Sequence, residues 1–226
     1  MHSNLNDEHI MLQKMMRAFA DEVVAPGAIE RDKTKAFPIE IFNQLAEMGI
    51  MGLPFPEKYG GAGADTISFV IATEELSRVC ASTGITYSAH ISLGGAPLHL
   101  FETEQQKEMY LTPICTGESF GAFGLTEPNA GSDAGGTETQ AILNDGQFTI
   151  NGSKVFITNA SYAKHLALTA ITNIKDGKKE ISAIIVPTDT PGFTIKSEYD
   201  KMGLNASNTT ELILEDVVVP EENLLG

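Results

Sequence analysis

The spacing of apolar residues along the chain changes character near residue 118. Before that point they recur three or four positions apart, which is typical of amphipathic helices. The pattern predicts five helices: one that ends before Pro26-Gly27, one over residues 38–48 with Gly49 as its stop, and three more over 66–79, 84–101 and 103–115. Residues 53–65, rich in proline and glycine, are predicted to form a loop.

After residue 118, short β-branched runs alternate with turn residues. Asn144-Asp145-Gly146-Gln147 between the apolar runs 141–143 and 148–150 is a strong hairpin signal. Further strands are predicted over 165–172, 181–186, 193–197 and 211–219, the first two separated by Asp176-Gly177. The sequence therefore predicts an α+β chain, in which an all-α helical domain over residues 1–117 precedes an antiparallel β-barrel or sandwich domain over 118–226.

Composition narrows the functional classes. The 226 residues carry 15 Lys+Arg against 30 Asp+Glu, a formal net charge of −15, which disfavours nucleic acid and anionic membranes as partners. Only two cysteines are present, Cys80 and Cys115, so we expect buried thiols rather than a disulfide framework. No apolar run is long enough to span a membrane, and residues 1–8 have no signal-peptide pattern. We expect a soluble, cytoplasmic protein without a metal site.

Two segments, 125–133 and 151–159, carry candidate chemistry. The first follows a short strand; Thr126 supplies a hydroxyl, and Gly131 permits close backbone approach to a ligand. In the second, strand alternation places Phe156 and Thr158 on one face, where they could stack on and hydrogen-bond to a planar heterocycle. Each segment also has an ordinary interpretation, because Ser132 could make local turn bonds and Phe156 could be a core residue.

The two segments together resemble the flavin-binding motifs of the acyl-CoA dehydrogenase family. Residues 53–61, 88–94, 201–203 and 215–220 resemble further motifs of that family, in the same order and spacing. The resemblance implies an FAD site, and it assigns these residues to that site: Phe123, Leu125, Thr126, Gly131, Ser132, Phe156, Ile157 and Thr158. It places Thr158 near the flavin nitrogen that receives hydride. The residues it places near the acyl-CoA substrate are Ser132, Ser88, His90 and Leu93, although His90 could equally be a packed or surface residue.

The implied activity is α,β-dehydrogenation of acyl-CoA thioesters to 2-enoyl-CoA, with short or branched acyl chains expected and electron-transfer flavoprotein as the acceptor. An acyl-CoA oxidase type of flavoenzyme and a non-catalytic flavin- or CoA-binding module are the alternatives. Such a reaction needs a base. Glu127 is the carboxylate nearest the motif, but the resemblance gives it a structural role at a turn.

The resemblance implies that the catalytic Glu belongs to a C-terminal four-helix domain that is absent from these residues. We therefore expect no catalytic residue within this chain, weak flavin binding by the chain alone, and a homodimer or homotetramer when the protein is full length. Two positions depart from the family pattern. Asn205 stands where arginine is frequent, and Phe156 stands where many members carry tryptophan.

Overall fold

The computed structural model describes residues 5–226; residues 1–4, part of the segment in which no signal peptide is expected, lie outside the described residues. The first half is helical. Its helices are α1 (Asp7–Phe19), α2 (Ala28–Thr34), α3 (Ile39–Glu47), α4 (Thr66–Val79), α5 (Ala81–Ala89), α6 (Ala96–Phe101), α7 (Glu104–Gln106) and α8 (Thr112–Cys115). A π-helical turn over Ala20–Val24 continues α1. A second, over His90–Gly95, joins α5 to α6, and a third, over Lys107–Leu111, joins α7 to α8.

Local sequence signals set most helix ends. Thr103 and Gln106 form the capping box that the sequence predicts at the start of α7. Gly49, in the left-handed conformation at φ +73°, follows α3 as its stop. α4 has the predicted bounds, whereas α5 begins at Ala81 rather than at Gly84, and α2 was not predicted.

The second half is a seven-stranded sheet. Its strands are β1 (Phe123–Gly124), β2 (Gln140–Asn144), β3 (Gln147–Thr158), β4 (His165–Lys175), β5 (Lys178–Pro187), β6 (Phe193–Ile195) and β7 (Thr209–Pro220). The β2–β3 hairpin turns at Asp145-Gly146 and the β4–β5 hairpin at Asp176-Gly177, and all four turn residues have positive φ, as type I′ hairpin turns require.

The sheet is mainly antiparallel, as predicted, with two short parallel pairings. β1 runs parallel to β4, and β2 is parallel to β4 at a single residue pair. The remaining pairs, β2–β3, β3–β7, β4–β5 and β6–β7, are antiparallel. An isolated antiparallel bridge joins Ile184 of β5 to Leu224, which lies beyond β7.

Each half has its own apolar core, and their junction is tight. Phe42, Leu45 and Tyr87 belong to the helical core, and Ile150 and Leu168 to the core of the sheet. At the junction, Asn159 donates to the carbonyl oxygens of Thr86 and Gly121 at 3.0 and 3.1 Å. The sheet is thus bonded directly to α5.

The structure shows the state of the two cysteines and the length of the helices. Cys80 and Cys115 are both free and buried, as expected. Within residues 5–226, no helix is both long and apolar enough to cross a membrane.

Candidate functional site

A cleft lies at the junction of the two halves, between α5 with its following π turn on one side and the ends of β1 and β3 on the other. Its volume is about 150 Å³, less than the roughly 300–1,000 Å³ of a pocket that encloses a small ligand. The cleft alone is therefore too small to enclose such a ligand. The cleft is lined by Ala89, Leu93, Ala122, Phe123, Leu125, Thr126, Phe156, Ile157 and Thr158.

Phe156 is the most unusual of the lining residues. The residue is 63% exposed, and its backbone adopts a left-handed conformation with φ +60°, which is uncommon for a bulky residue. A bulge in the pairing of β3 with β7, between Lys154 and Ile157, produces this conformation. The ring packs on Tyr199, with 5.0 Å between ring centroids. The fold thus holds an aromatic ring out of the core and presents it at the cleft.

Polar groups accompany that ring. Thr126 and Thr158 are half-buried, and each contributes a hydroxyl that can donate and accept hydrogen bonds. Ala89 and Leu93 stand one helical turn apart and give the opposite wall an apolar surface. A flat ligand with a polar edge matches this combination of an exposed ring, two hydroxyls and an apolar wall.

Beneath the β side of the cleft is a buried ion pair. Glu127 Oε1 lies 2.6 Å from Lys154 Nζ, and the side chains are 3% and 0% exposed. Glu127 also accepts hydrogen bonds from the backbone N–H groups of Glu138 and Thr139. Burial tends to raise the pKa of Glu127, but the hydrogen bonds from Lys154, Thr139 and Glu138 outweigh it and hold the pKa below its ordinary value. Glu127 therefore has the environment of a structural carboxylate.

The structure brings most of the predicted site residues together and leaves four outside the cleft wall. Gly131 and Ser132 lie on an exposed loop, and Ser88 is half-buried on α5. His90 is fully buried; its Nε2 lies 3.0 Å from the Met51 carbonyl oxygen, and its Nδ1 accepts from the Gly121 N–H. Burial lowers the pKa of His90 to about 4. The geometry favours the interpretation of His90 as a packed residue.

Sequence reasoning missed several residues at this site. Ala89 and Ala122 line the cleft, Tyr199 supports Phe156, and Lys154 lies underneath. Ala89 could have been inferred from Leu93, because residues four apart share a helix face. The positions of Lys154 and Tyr199 depend on long-range contacts that no local pattern signals.

The chain therefore combines a helical half, a β-sheet half and a cleft with an exposed aromatic ring where the two halves meet. It belongs to the acyl-CoA dehydrogenase family: the family model for the acyl-CoA dehydrogenase N-terminal domain matches residues 6–118, and that for the middle domain matches residues 122–217.

Relatives agree in sequence and in fold. A probable acyl-CoA dehydrogenase, YngJ, of Bacillus subtilis is 55% identical over 227 residues, covering 100% of this chain and 60% of that protein. Butyryl-CoA dehydrogenase from Megasphaera elsdenii superposes with a TM-score of 0.94 at 44% identity, covering 100% of this chain and 60% of that one. An acyl-CoA dehydrogenase complexed with FAD from Bacillus anthracis superposes with a TM-score of 0.90 at 37% identity, covering 99% and 39%. The chain spans about 60% of the length of the curated relatives it matches.

Proposed function

We propose that this chain supplies the flavin cleft of an FAD-dependent acyl-CoA dehydrogenase that acts on short-chain thioesters. The observation that carries the proposal is Phe156, an exposed aromatic ring held in a left-handed backbone beside the hydroxyls of Thr126 and Thr158. The FAD-complexed relative and the butyryl-CoA dehydrogenase support the choice of cofactor and of substrate class.

The residues present fit FAD. Phe156 offers a ring face for stacking, and Thr126 and Thr158 offer hydroxyls for the polar edge of the ring system. When bound, FAD supplies the hydride acceptor for oxidation at the β-carbon of the thioester. Leu93 and Ala89 close the opposite side with apolar surface, which keeps water from the reacting face.

Base catalysis is not supplied by the cleft wall. None of its nine residues has a titratable side chain, and Glu127, the nearest carboxylate in sequence, is buried against Lys154. A carboxylate with a lowered pKa and three donor groups around it, Lys154 Nζ and the Glu138 and Thr139 N–H groups, is a poor proton acceptor. We infer that the general base is neither a residue of the cleft wall nor Glu127.

The test uses the protein that carries this chain, purified and titrated with FAD while flavin fluorescence and visible absorption are recorded. Anaerobic addition of butyryl-CoA is then expected to bleach the flavin band. Phe156→Ala should weaken FAD binding, whereas Phe101→Ala, at a residue that is 60% exposed and does not line the cleft, should not. The proposal is refuted if the wild-type protein does not bind FAD. It is also refuted if Phe156→Ala binds FAD as tightly as the wild type does.

The electron acceptor is decided by a second measurement. With electron-transfer flavoprotein as acceptor, the substrate-reduced protein should be slow to produce peroxide in air; rapid peroxide formation indicates the oxidase alternative. FAD binding without bleaching by any acyl-CoA indicates the non-catalytic module. Cytoplasmic location and homo-oligomeric assembly belong to the same proposal, and sedimentation of the purified protein tests the latter.

A further inference from the structure

We propose that Lys154 is a positioning residue for the cofactor cleft, and that Glu127 is the counter-charge that keeps it there. The inference rests on the proposed function, since the positioned group is the Leu125–Thr126 peptide at the cleft edge. Neither Lys154 nor Glu127 lines the cleft.

The ammonium group of Lys154 is fully engaged. Its three acceptors are Glu127 Oε1 at 2.6 Å, Thr169 Oγ1 at 3.1 Å and the Leu125 carbonyl oxygen at 3.3 Å. A protonated lysine has three N–H donors, so every donor is used. The position of Nζ is thus defined from three directions at once.

That engagement fixes the conformation of Thr126. Each peptide unit is planar, so a bonded carbonyl fixes the orientation of its whole unit. The unit before the Thr126 Cα atom is held through the Leu125 carbonyl by Lys154. The unit after it is held by the Val155 N–H, which donates to the Thr126 carbonyl oxygen at 2.8 Å. With both units fixed, the direction of the Thr126 Cα–Cβ bond is fixed too, which limits the positions open to its hydroxyl.

The same pair joins the two segments that build the β side of the cleft. Glu127 directly follows Thr126, and Lys154 precedes Phe156 by two residues on β3. The aliphatic part of Lys154 also packs beside Gly124, where an added Cβ would meet Lys154 Cγ at 3.4 Å. Moving Lys154 would therefore disturb the hydroxyl of Thr126 and the bulge at Phe156 together.

Stability alone does not account for the pair. Apolar residues of similar volume often replace buried ion pairs without loss of stability, whereas removing one partner leaves an uncompensated charge. The pair can therefore be separated into two contributions: charge balance, which a neutral double variant restores, and the hydrogen bond to Leu125, which it does not.

The experiment uses the protein carrying this chain and compares wild type, Lys154→Met, Lys154→Met/Glu127→Gln and the control Glu75→Gln. Glu75 is also a fully buried carboxylate, paired with Arg17 at 2.7 Å in the helical half, away from the cleft. The dissociation constant for FAD and the midpoint of chemical unfolding are measured for each protein.

We expect Lys154→Met to lower the midpoint and to weaken FAD binding at least tenfold. The double variant should recover most of the midpoint while its FAD binding stays at least tenfold weaker than that of wild type. Glu75→Gln should lower the midpoint and leave the dissociation constant within twofold. A double variant that binds FAD as wild type does, or a control that loses affinity as Lys154→Met does, overturns the inference.

Lys154→Arg provides a second variant if the double variant does not fold. The guanidinium can keep the charge pair with Glu127, but its planar fork cannot reproduce the three-way donation to Leu125, Thr169 and Glu127. Its FAD binding is expected to weaken at a near wild-type midpoint, and unchanged binding overturns the inference. Wild-type protein without FAD affinity overturns the proposed function as well, so the two failures are distinguishable.

Discussion

Replacing Phe156 by glycine separates the stability of the fold from the binding capacity of the cleft. A left-handed backbone costs a non-glycine residue about 1–2 kcal/mol, and Phe156 adopts that backbone with φ +60°. Glycine removes this strain. It also removes the packing of the ring on Tyr199, worth about 0.5–1.5 kcal/mol for an aromatic pair. Because the two effects are similar in size and opposite in sign, we expect the free energy of unfolding to change by less than about 1 kcal/mol.

Binding should change much more. Full burial of a phenylalanine side chain contributes roughly 1.5–3 kcal/mol, and Phe156 is 63% exposed, so that much of its surface is free to be covered by a ligand. About 1–2 kcal/mol of binding free energy is therefore available from the ring, which corresponds to a roughly tenfold change in the dissociation constant. FAD titration followed by flavin fluorescence measures it.

Two further variants complete the assay. Phe156→Ala loses the ring but keeps a Cβ in the strained backbone, so it should be less stable than Phe156→Gly in urea unfolding of the apoprotein. Phe148→Ala removes a core ring that is only 3% exposed and should cost about 3–5 kcal/mol. The reasoning is refuted if Phe156→Gly destabilises as much as Phe148→Ala, or if it binds FAD with wild-type affinity.

Three other substitutions have defined outcomes. Burial raises the pKa of Glu102 to about 8, so the wild type loses stability as pH rises from about 4.5 to 8. In urea unfolding, Glu102→Gln should be about 2–4 kcal/mol more stable than the wild type at pH 8 and equally stable at pH 4.5. Burial lowers the pKa of His90 to about 4, so the unfolded state takes up the proton first as pH falls. The free energy of unfolding of the wild type should therefore fall by about 3 kcal/mol between pH 6.5 and 4. His90→Gln should reduce this dependence of unfolding free energy on pH. Gly121→Ala would place a Cβ 2.5 Å from the His90 carbonyl oxygen and should lower the thermal midpoint strongly, whereas Gly131→Ala, with open space around it, should not.

The sequence predicts the elements with strong local signals and misses those that depend on distant contacts. α4 has a clear apolar repeat and a capping Asp65, and its predicted bounds agree with the structure. α2 has no buried residue, so it has no apolar stripe to detect. The sequence predicts a helix that begins at Gly84, but in the structure this glycine lies inside α5, where a Cβ would clash with Ser77 of α4. Gly84 therefore permits close packing of α5 on α4 and does not mark a helix start.

At the site, too, residues in recognisable motifs are predicted from the sequence, whereas features that depend on distant contacts are not. Thr126, Phe156 and Thr158 were found because their segments carry recognisable motifs, and the cleft does unite them. The left-handed backbone of Phe156 could not be predicted, because it follows from a bulge that exists only once β3 pairs with β7. Complete burial of Lys154 contradicts the usual surface position of lysine, and its partner Glu127 lies 27 residues away in sequence.

The width of the cleft is set by contact between main chains at Gly94 and Gly121, two residues that do not line the cleft. A Cβ at Gly94 would clash with the Cα atom of Gly121, and the Gly121 N–H donates to His90 Nδ1 at 2.9 Å. The helical wall that carries Leu93 therefore stands at a fixed distance from the chain that enters β1. Side chains can change rotamer, but a separation fixed by backbone contact changes only if the two halves move apart. A flat ligand held between such walls gains its fit from the junction, so substitutions at Gly94 or Gly121 should impair binding and stability together, unlike substitution of Phe156.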